Sequence, residues 1–266
     1  MRMIWPLLLL GGCSQGPAIA PGKIVSNNPC IDGVLAEIAD PASIGAISRY
    51  SQEPESSSAP IGWAKRFPAI VVSAEEIIAA APRLVLSGNY ASTGTNAALE
   101  KAGIPIRSFG VPGTLDESEA QVIAIAHAIG REPQGADLVE RMKKATQPES
   151  DGRSAIIWQT GGFVAGKGTI QDEMLARAGF RNASSSYGLK QWDILPLEAI
   201  LRNPPDIIFT PMSGAGEDAR ALALRHRVLG HLSGRTRVIA FPDRLLFCGG
   251  PTVIEAMQRL RSVRGS

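Results

Sequence analysis

An internal repeat restricts this chain more than any other feature. The segment Glu75-Glu76-Ile77-Ile78-Ala79-Ala80-Ala81-Pro82-Arg83-Leu84-Val85-Leu86 reads Glu-x-Ile-(Ile/Leu)-x-x-x-Pro-x-aliphatic-aliphatic-apolar. Glu198-Ala199-Ile200-Leu201-Arg202-Asn203-Pro204-Pro205-Asp206-Ile207-Ile208-Phe209 reads the same way in the second half. Each copy is one helix stopped by proline, whose missing N–H cannot extend the ladder, followed by a buried strand. Chance similarity of two helix–strand units is the competing explanation. Two true copies predict two similar α/β lobes in tandem, and 266 residues suffice for two lobes with their own cores.

The rest of the pattern agrees. Short, nearly continuous apolar runs read as strands at 23–26, 46–48, 84–87, 106–109, 155–159, 207–210 and 238–241. Helical patterns fall at 31–38, 75–80, 93–101, 115–129, 170–178, 198–201, 218–225 and 253–260. Such alternation implies parallel sheets covered on both faces. Thr114-Leu115-Asp116-Glu117 is a capping box that opens a helix ending near Gly130. Between the lobes, 134–147 reads as one helix: Pro133 stands at its start, Leu138, Val139 and Met142 form an apolar stripe, and Pro148 lies beyond its end. The expected organisation is a leader at 1–20, an N-terminal lobe at 21–132, a linker helix at 133–149 and a C-terminal lobe at 150–266. One helical connection of about 20 Å allows limited rocking rather than wide closure.

The leader itself looks like an export signal. Met1-Arg2-Met3 supplies positive charge, Ile4 to Leu10 are mostly apolar, and Leu10-Gly11-Gly12-Cys13 fits a lipobox in which Cys13 is acylated. A competing cut lies after Ala18-Ile19-Ala20, but Pro21 would follow it and is poorly processed. The apolar core is short, which leaves room for a start codon further upstream. Either cut places the protein outside the cytoplasm, in an oxidising compartment.

With these features the chain resembles the helical-backbone (class III) substrate-binding proteins of ABC importers, specifically the vitamin B12 and ferric-siderophore family. The exported start, the tandem α/β lobes, the linker helix and both copies of the Glu-x-Ile motif carry the resemblance over about residues 22–264. It implies two Rossmann-like lobes with a ligand cleft between them. It also implies docking of Glu75 and Glu198, one per lobe, onto arginines of a membrane permease. Both acids equally suit a helix N-terminus, where negative charge is favoured. One departure is Arg83, where the family usually has Asp; Asp206 keeps it.

Ligands of open α/β sheets sit beyond the carboxyl ends of the strands. The loops expected there carry five aromatics, Tyr50, Tyr90, Phe163, Tyr187 and Trp192, in a chain with only 5% aromatic residues. As a group they favour a bulky planar or macrocyclic guest such as cobalamin or a ferric-siderophore-like chelate, the cobalt or iron belonging to the ligand. Arg49 and Lys167 suit ligand carboxylates or phosphate. Cys30 and Cys248 each fall between a strand and a helix, facing the same cleft. Three readings stay open for them: a disulfide joining the lobes, thiolates on a metal-containing ligand, or two unrelated small residues. The disulfide requires Cα atoms within about 7 Å.

Other functions fit less well. Lys plus Arg total 27 against 25 Asp plus Glu, which offers no concentrated basic face for nucleic acid. His127, His226 and His231 lie on helical segments or their ends, not in cleft loops, which disfavours a bare zinc or manganese site. Gly161-Gly162-Phe163-Val164-Ala165-Gly166-Lys167-Gly168 nearly matches a phosphate loop, but Gly168 replaces the hydroxyl residue that holds magnesium. An exported hydrolase lacks any G-x-S-x-G elbow, and a scaffold or adhesion role leaves the aromatic loops unexplained. The expectation is therefore a monomeric, non-enzymatic periplasmic receptor, tethered by lipid alone, with an ABC permease as partner and no cofactor of its own.

Overall fold

Buried strands of alternating parity build both halves of the molecule. The computed structural model describes residues 21–71, 73–89, 93–150, 152–211, 219–232 and 234–263; Cys13, the Ala20 site and Tyr90 lie outside them. The first lobe runs β1 (Ile24–Ser26), α1 (Pro29–Ile38), β2 (Ile44–Ser48), α2 (Ile61–Ala64), β3 (Ala69–Ile70), α3 (Ala74–Ala79), β4 (Leu84–Gly88), α4 (Thr93–Lys101) and β5 (Ile106–Phe109). Its strands form one parallel sheet in the order β3-β2-β1-β4-β5. Two helices follow, α5 (Leu115–Ile129) and α6 (Glu132–Ala145). The second lobe runs β6 (Ser154–Ile157), β7 (Phe163–Ala165), α7 (Ile170–Arg177), β8 (Arg181–Asn182), β9 (Trp192–Ile194), α8 (Leu197–Arg202), β10 (Ile207–Thr210), α9 (Ala219–Leu232), β11 (Arg237–Ala240) and α10 (Thr252–Ser262). Its parallel sheet has the order β11-β10-β6-β8, and β7 and β9 pair apart from it as an antiparallel ribbon. The two-lobed architecture follows the sequence reading; the ribbon, β3, β8 and α2 do not appear in it.

The repeat now has a physical explanation. Side chains of a strand alternate between faces, so Leu84 and Leu86 enter the core shared with α1, α5 and α6, while Val85 packs with Ile77 of α3 on the other side. In the second lobe Ile207 and Phe209 face α7 and α10, and Ile208 packs with Ile200 of α8. Ile77 and Ile200 are both fully buried. Each copy of the motif thus places one helix on one face of its sheet and one strand beside the lobe's first strand. The departure at Arg83 stays local. Asp206 accepts from the Ser154 N–H and hydroxyl, both at 2.7 Å, whereas Arg83 donates its backbone N–H to Lys23 O.

Helix ends obey their caps. Thr114 Oγ1 accepts from the Glu117 N–H, and α5 ends on Gly130 with φ of 69°, a left-handed conformation natural to glycine. Helix α6 is no free-standing rod: Leu138, Val139 and Met142 are buried in the first lobe's core, and Gly135 lets α6 come close to Ala126 of α5.

The lobes are joined by more than α6. Leu115, at the start of α5, inserts into the second lobe's core and donates its N–H to Glu173 at 2.8 Å. The loop before α10 returns the contact: the buried Gly250 N–H reaches Ser118 Oγ at 2.6 Å, and Gly249 lies so close to Ser118 and Pro112 that a side chain there would collide. Beside it Cys30 and Cys248 form a disulfide with Cα atoms 5.2 Å apart, which excludes the thiolate reading. Closing so long a loop restricts the unfolded chain, and loss of the bond is expected to cost about 2–4 kcal/mol. Thermal unfolding with and without reductant checks this: reductant lowers the midpoint of the native protein and leaves that of a Cys30→Ser/Cys248→Ser double variant, already lower, unchanged.

Candidate functional site

A cleft of about 650 Å³ opens between the lobes at the carboxyl ends of their strands. From the first lobe come Asn28 to Cys30 at the start of α1, Tyr50 after β2, Ser56, and Val111 to Gly113 after β5. The second lobe adds Gln159 after β6, Thr169 to Gln171 at the start of α7, Gln191 and Trp192 at β9, and Leu246 to Gly249. Tyr50, Trp192 and Phe247 are 45%, 47% and 48% exposed, an arrangement that leaves aromatic surface available to a guest.

Of the residues singled out from sequence, Tyr50, Trp192, Cys30 and Cys248 meet in this wall. Phe163 does not line it, but the ribbon register pairs Phe163 with Ile194 and Ala165 with Trp192, so Phe163 lies on the same ribbon face one step outward. Arg49 sits at the rim, its guanidinium 5.1 Å from the Tyr50 ring centre and 4.0 Å from Glu53. Lys167 is exposed and outside the wall. Tyr187 is turned away: it packs with the second lobe's core and donates its hydroxyl to Asn203 O at 2.7 Å, burial pushing its pKa up to about 12. The sequence reading passed over Gln159 and Gln171, whose only signal was a place just after a strand or at a helix start, and it put Gln191 and Phe247 in cleft loops without singling them out as contacts.

Competing sites fail on geometry. The 161–168 segment does not wrap as a phosphate loop, because Phe163–Ala165 is spent as strand β7, paired with β9. No cluster of three or more His, Cys, Asp or Glu capable of holding a metal occurs among the described residues. A second interlobe groove of about 520 Å³ has its charges already matched, Arg141 with Glu37 at 2.8 Å and Arg244 with Glu255.

Comparison with known proteins agrees with this arrangement. The profile of the periplasmic binding protein family matches residues 24–229. The chain belongs to that family. Cobalamin-binding proteins of two Halobacterium salinarum strains are 23% identical over 213 residues, 77% of this chain; the chain spans 58% of their length. Among solved structures, the periplasmic heme-binding protein RhuT from Roseiflexus sp. RS-1 superposes with a TM-score of 0.68 at 21% identity, covering 92% of this chain and 100% of that one. The periplasmic heme-binding protein HutB of Vibrio cholerae gives 0.73 at 17% identity, covering 91% and 98%. These likenesses establish the fold. As a periplasmic binding protein the chain is an extracytoplasmic solute-binding protein rather than an enzyme, and none of its described helices is long and apolar enough to cross a membrane.

The binding protein's cleft is held in shape by buried polar groups. Asp32 on α1 is fully buried, and its Oδ2 accepts from the Ser48 N–H at 2.9 Å and Ser51 Oγ at 2.6 Å. Those bonds fix the Arg49–Gln52 turn that carries Tyr50. The helix starts facing the cleft are capped from within: Asn28 accepts from the Cys30 and Ile31 N–H groups, and Thr169 from that of Asp172. Two cleft amides are left short. Gln159 Nε2 and Gln171 Oε1 find no partner among the described residues, a cost of about 1–3 kcal/mol each when such a group is buried.

Burial raises the Asp32 pKa from 3.8 to about 7, against the opposing hydrogen bonds from Ser26, Ser51 and Ser48. A carboxyl whose folded pKa lies above its unfolded value binds its proton more tightly when folded. Its stabilising contribution is therefore complete below about pH 4 and disappears as pH rises through about 7. Denaturant midpoints measured from pH 4 to 8 are expected to show this downward component in the native protein and to lose it in Asp32→Asn.

Proposed function

We propose that this protein is the substrate-binding subunit of an ABC importer, capturing cobalamin or a ferric-siderophore-like chelate and delivering it to a membrane permease. The observation that carries the reading is the interlobe cleft, where Tyr50, Trp192 and Phe247 present half-exposed rings to a space sized for a bulky organic guest. No bond is made or broken there. The kinship to cobalamin-binding proteins of Halobacterium supports the same ligand class.

Docking would fall to Glu75 and Glu198. Both are exposed, and they occupy equivalent first turns, of α3 and of α8. Exposed pairs with permease arginines would contribute orientation and encounter rate more than affinity. A lipid on Cys13 would hold the receptor, acting as a monomer, at the membrane surface, and the disulfide suits its oxidising surroundings.

Titration with cyanocobalamin and a panel of ferric chelates tests the reading directly. Trp192→Ala is expected to weaken the bound ligand about tenfold with an unchanged unfolding midpoint; undiminished affinity would remove this cleft as the site. Charge reversal at Glu75 and Glu198 together is expected to abolish uptake by cells while leaving affinity in solution intact.

A further inference from the structure

The described residues of the cleft wall are polar without being charged. Resting on the receptor reading above, we propose that its guest is an uncharged molecule bearing amide-type groups, and that Gln159 and Gln171 read those groups. Among the described residues that line the cleft there is no Asp, Glu, Lys, Arg or His, only neutral polar and apolar side chains. The rim cation Arg49 already faces Glu53 and the Tyr50 ring.

The unanswered amide atoms give the pattern its direction. Gln171 is only 3% exposed and spends its N–H on Leu246 O at 2.7 Å, which fixes the amide so that Oε1 is the atom left without a partner. Gln159 is half-buried and leaves Nε2 unanswered. One acceptor and one donor in the same wall are the complement of a primary amide, which supplies both; a carboxylate supplies acceptors alone and leaves Gln171 unanswered. Both atoms are buried as they stand, so each side chain must turn toward the cleft before its free atom meets a guest.

None of the described residues of the wall compensates an anion. The starts of α1 and α7, which would otherwise attract negative charge, are occupied by Asn28, by Thr169 and by Asp172, whose carboxylate also accepts the Gly168 N–H. A carboxylate entering this cleft would lose its water without gaining a counter-charge from the described residues of the wall. A neutral guest meets no such barrier.

Matched probes test the proposal on the full purified protein by equilibrium titration. One pair is cyanocobalamin and its monocarboxylate, in which a single side-chain amide is hydrolysed; the other is a neutral ferric trihydroxamate and an anionic ferric tricatecholate, with hemin as a dicarboxylate of the tetrapyrrole class. The expected result is that, in whichever pair binds, the neutral member binds at least about tenfold more tightly, and that hemin is the weaker tetrapyrrole. Gln171→Leu and Gln159→Leu are each expected to weaken cyanocobalamin about tenfold and to erode its advantage over the monocarboxylate. Should Gln171→Leu unfold, the neutral-to-anionic ratio of the native protein still decides. Equal or tighter binding of hemin or of the anionic members overturns the charge selection while leaving a receptor in place. No binding by any probe overturns the receptor reading and this inference with it.

Discussion

The clasp between Ser118, Gly250 and the Cys30–Cys248 bond sets the relation of the two lobes, and the cleft inherits its shape from it. A hydrogen bond between two buried groups tolerates little displacement, and here it lies within a few residues of a covalent bridge. Cys30 and Cys248 are also part of the cleft wall. Any opening movement must therefore pivot about the floor of the binding space rather than separate it. Limited rocking is what such a pivot allows, and the aromatic rings near it stand ready before a guest arrives.

The second constraint is the parity of the strands. Every central strand must present apolar side chains to helices on both sides, and this requirement wrote the same helix–proline–strand phrase twice. That is why so much of the architecture was legible in advance: Leu84 to Leu86 and Ile207 to Phe209 are continuously apolar because no face of either strand meets water. Strands Ile106–Phe109 and Ile207–Thr210 and helices Thr93–Lys101 and Leu115–Ile129 match their sequence reading end to end. What escaped notice was short or glycine-rich. Strands β3 and β8 have two residues each, too few for any period to register, and β7 is embedded in the glycines that suggested a phosphate loop.

The site was less legible, for a different reason. Tyr50 and Trp192 stood out because rings in loops are scarce in this chain, whereas Tyr187, equally aromatic and equally outside the regular elements expected for it, is satisfied by a backbone carbonyl. Sequence alone does not show which way a loop side chain turns. Gln159 and Gln171 were invisible because glutamine is an ordinary surface residue; only its burial beside a space, with one polar atom unanswered, sets it apart. Charge drew notice in the same way. Arg49 and Lys167 seemed suited to an anionic guest, yet neither is among the described residues that line the cleft, and those carry no charge.

The bridge between the lobes also bears on how the chain matures. Cys30 crosses the membrane early and Cys248 nearly last, so oxidation must wait for almost the whole polypeptide to emerge. Three cysteines permit three different pairings. Were Cys13 acylated, as the proposed anchor requires, that thiol would be withdrawn from the competition and the remaining two left only each other. The proposed anchor would then do more than tether: it would remove the opportunity for mispairing during export.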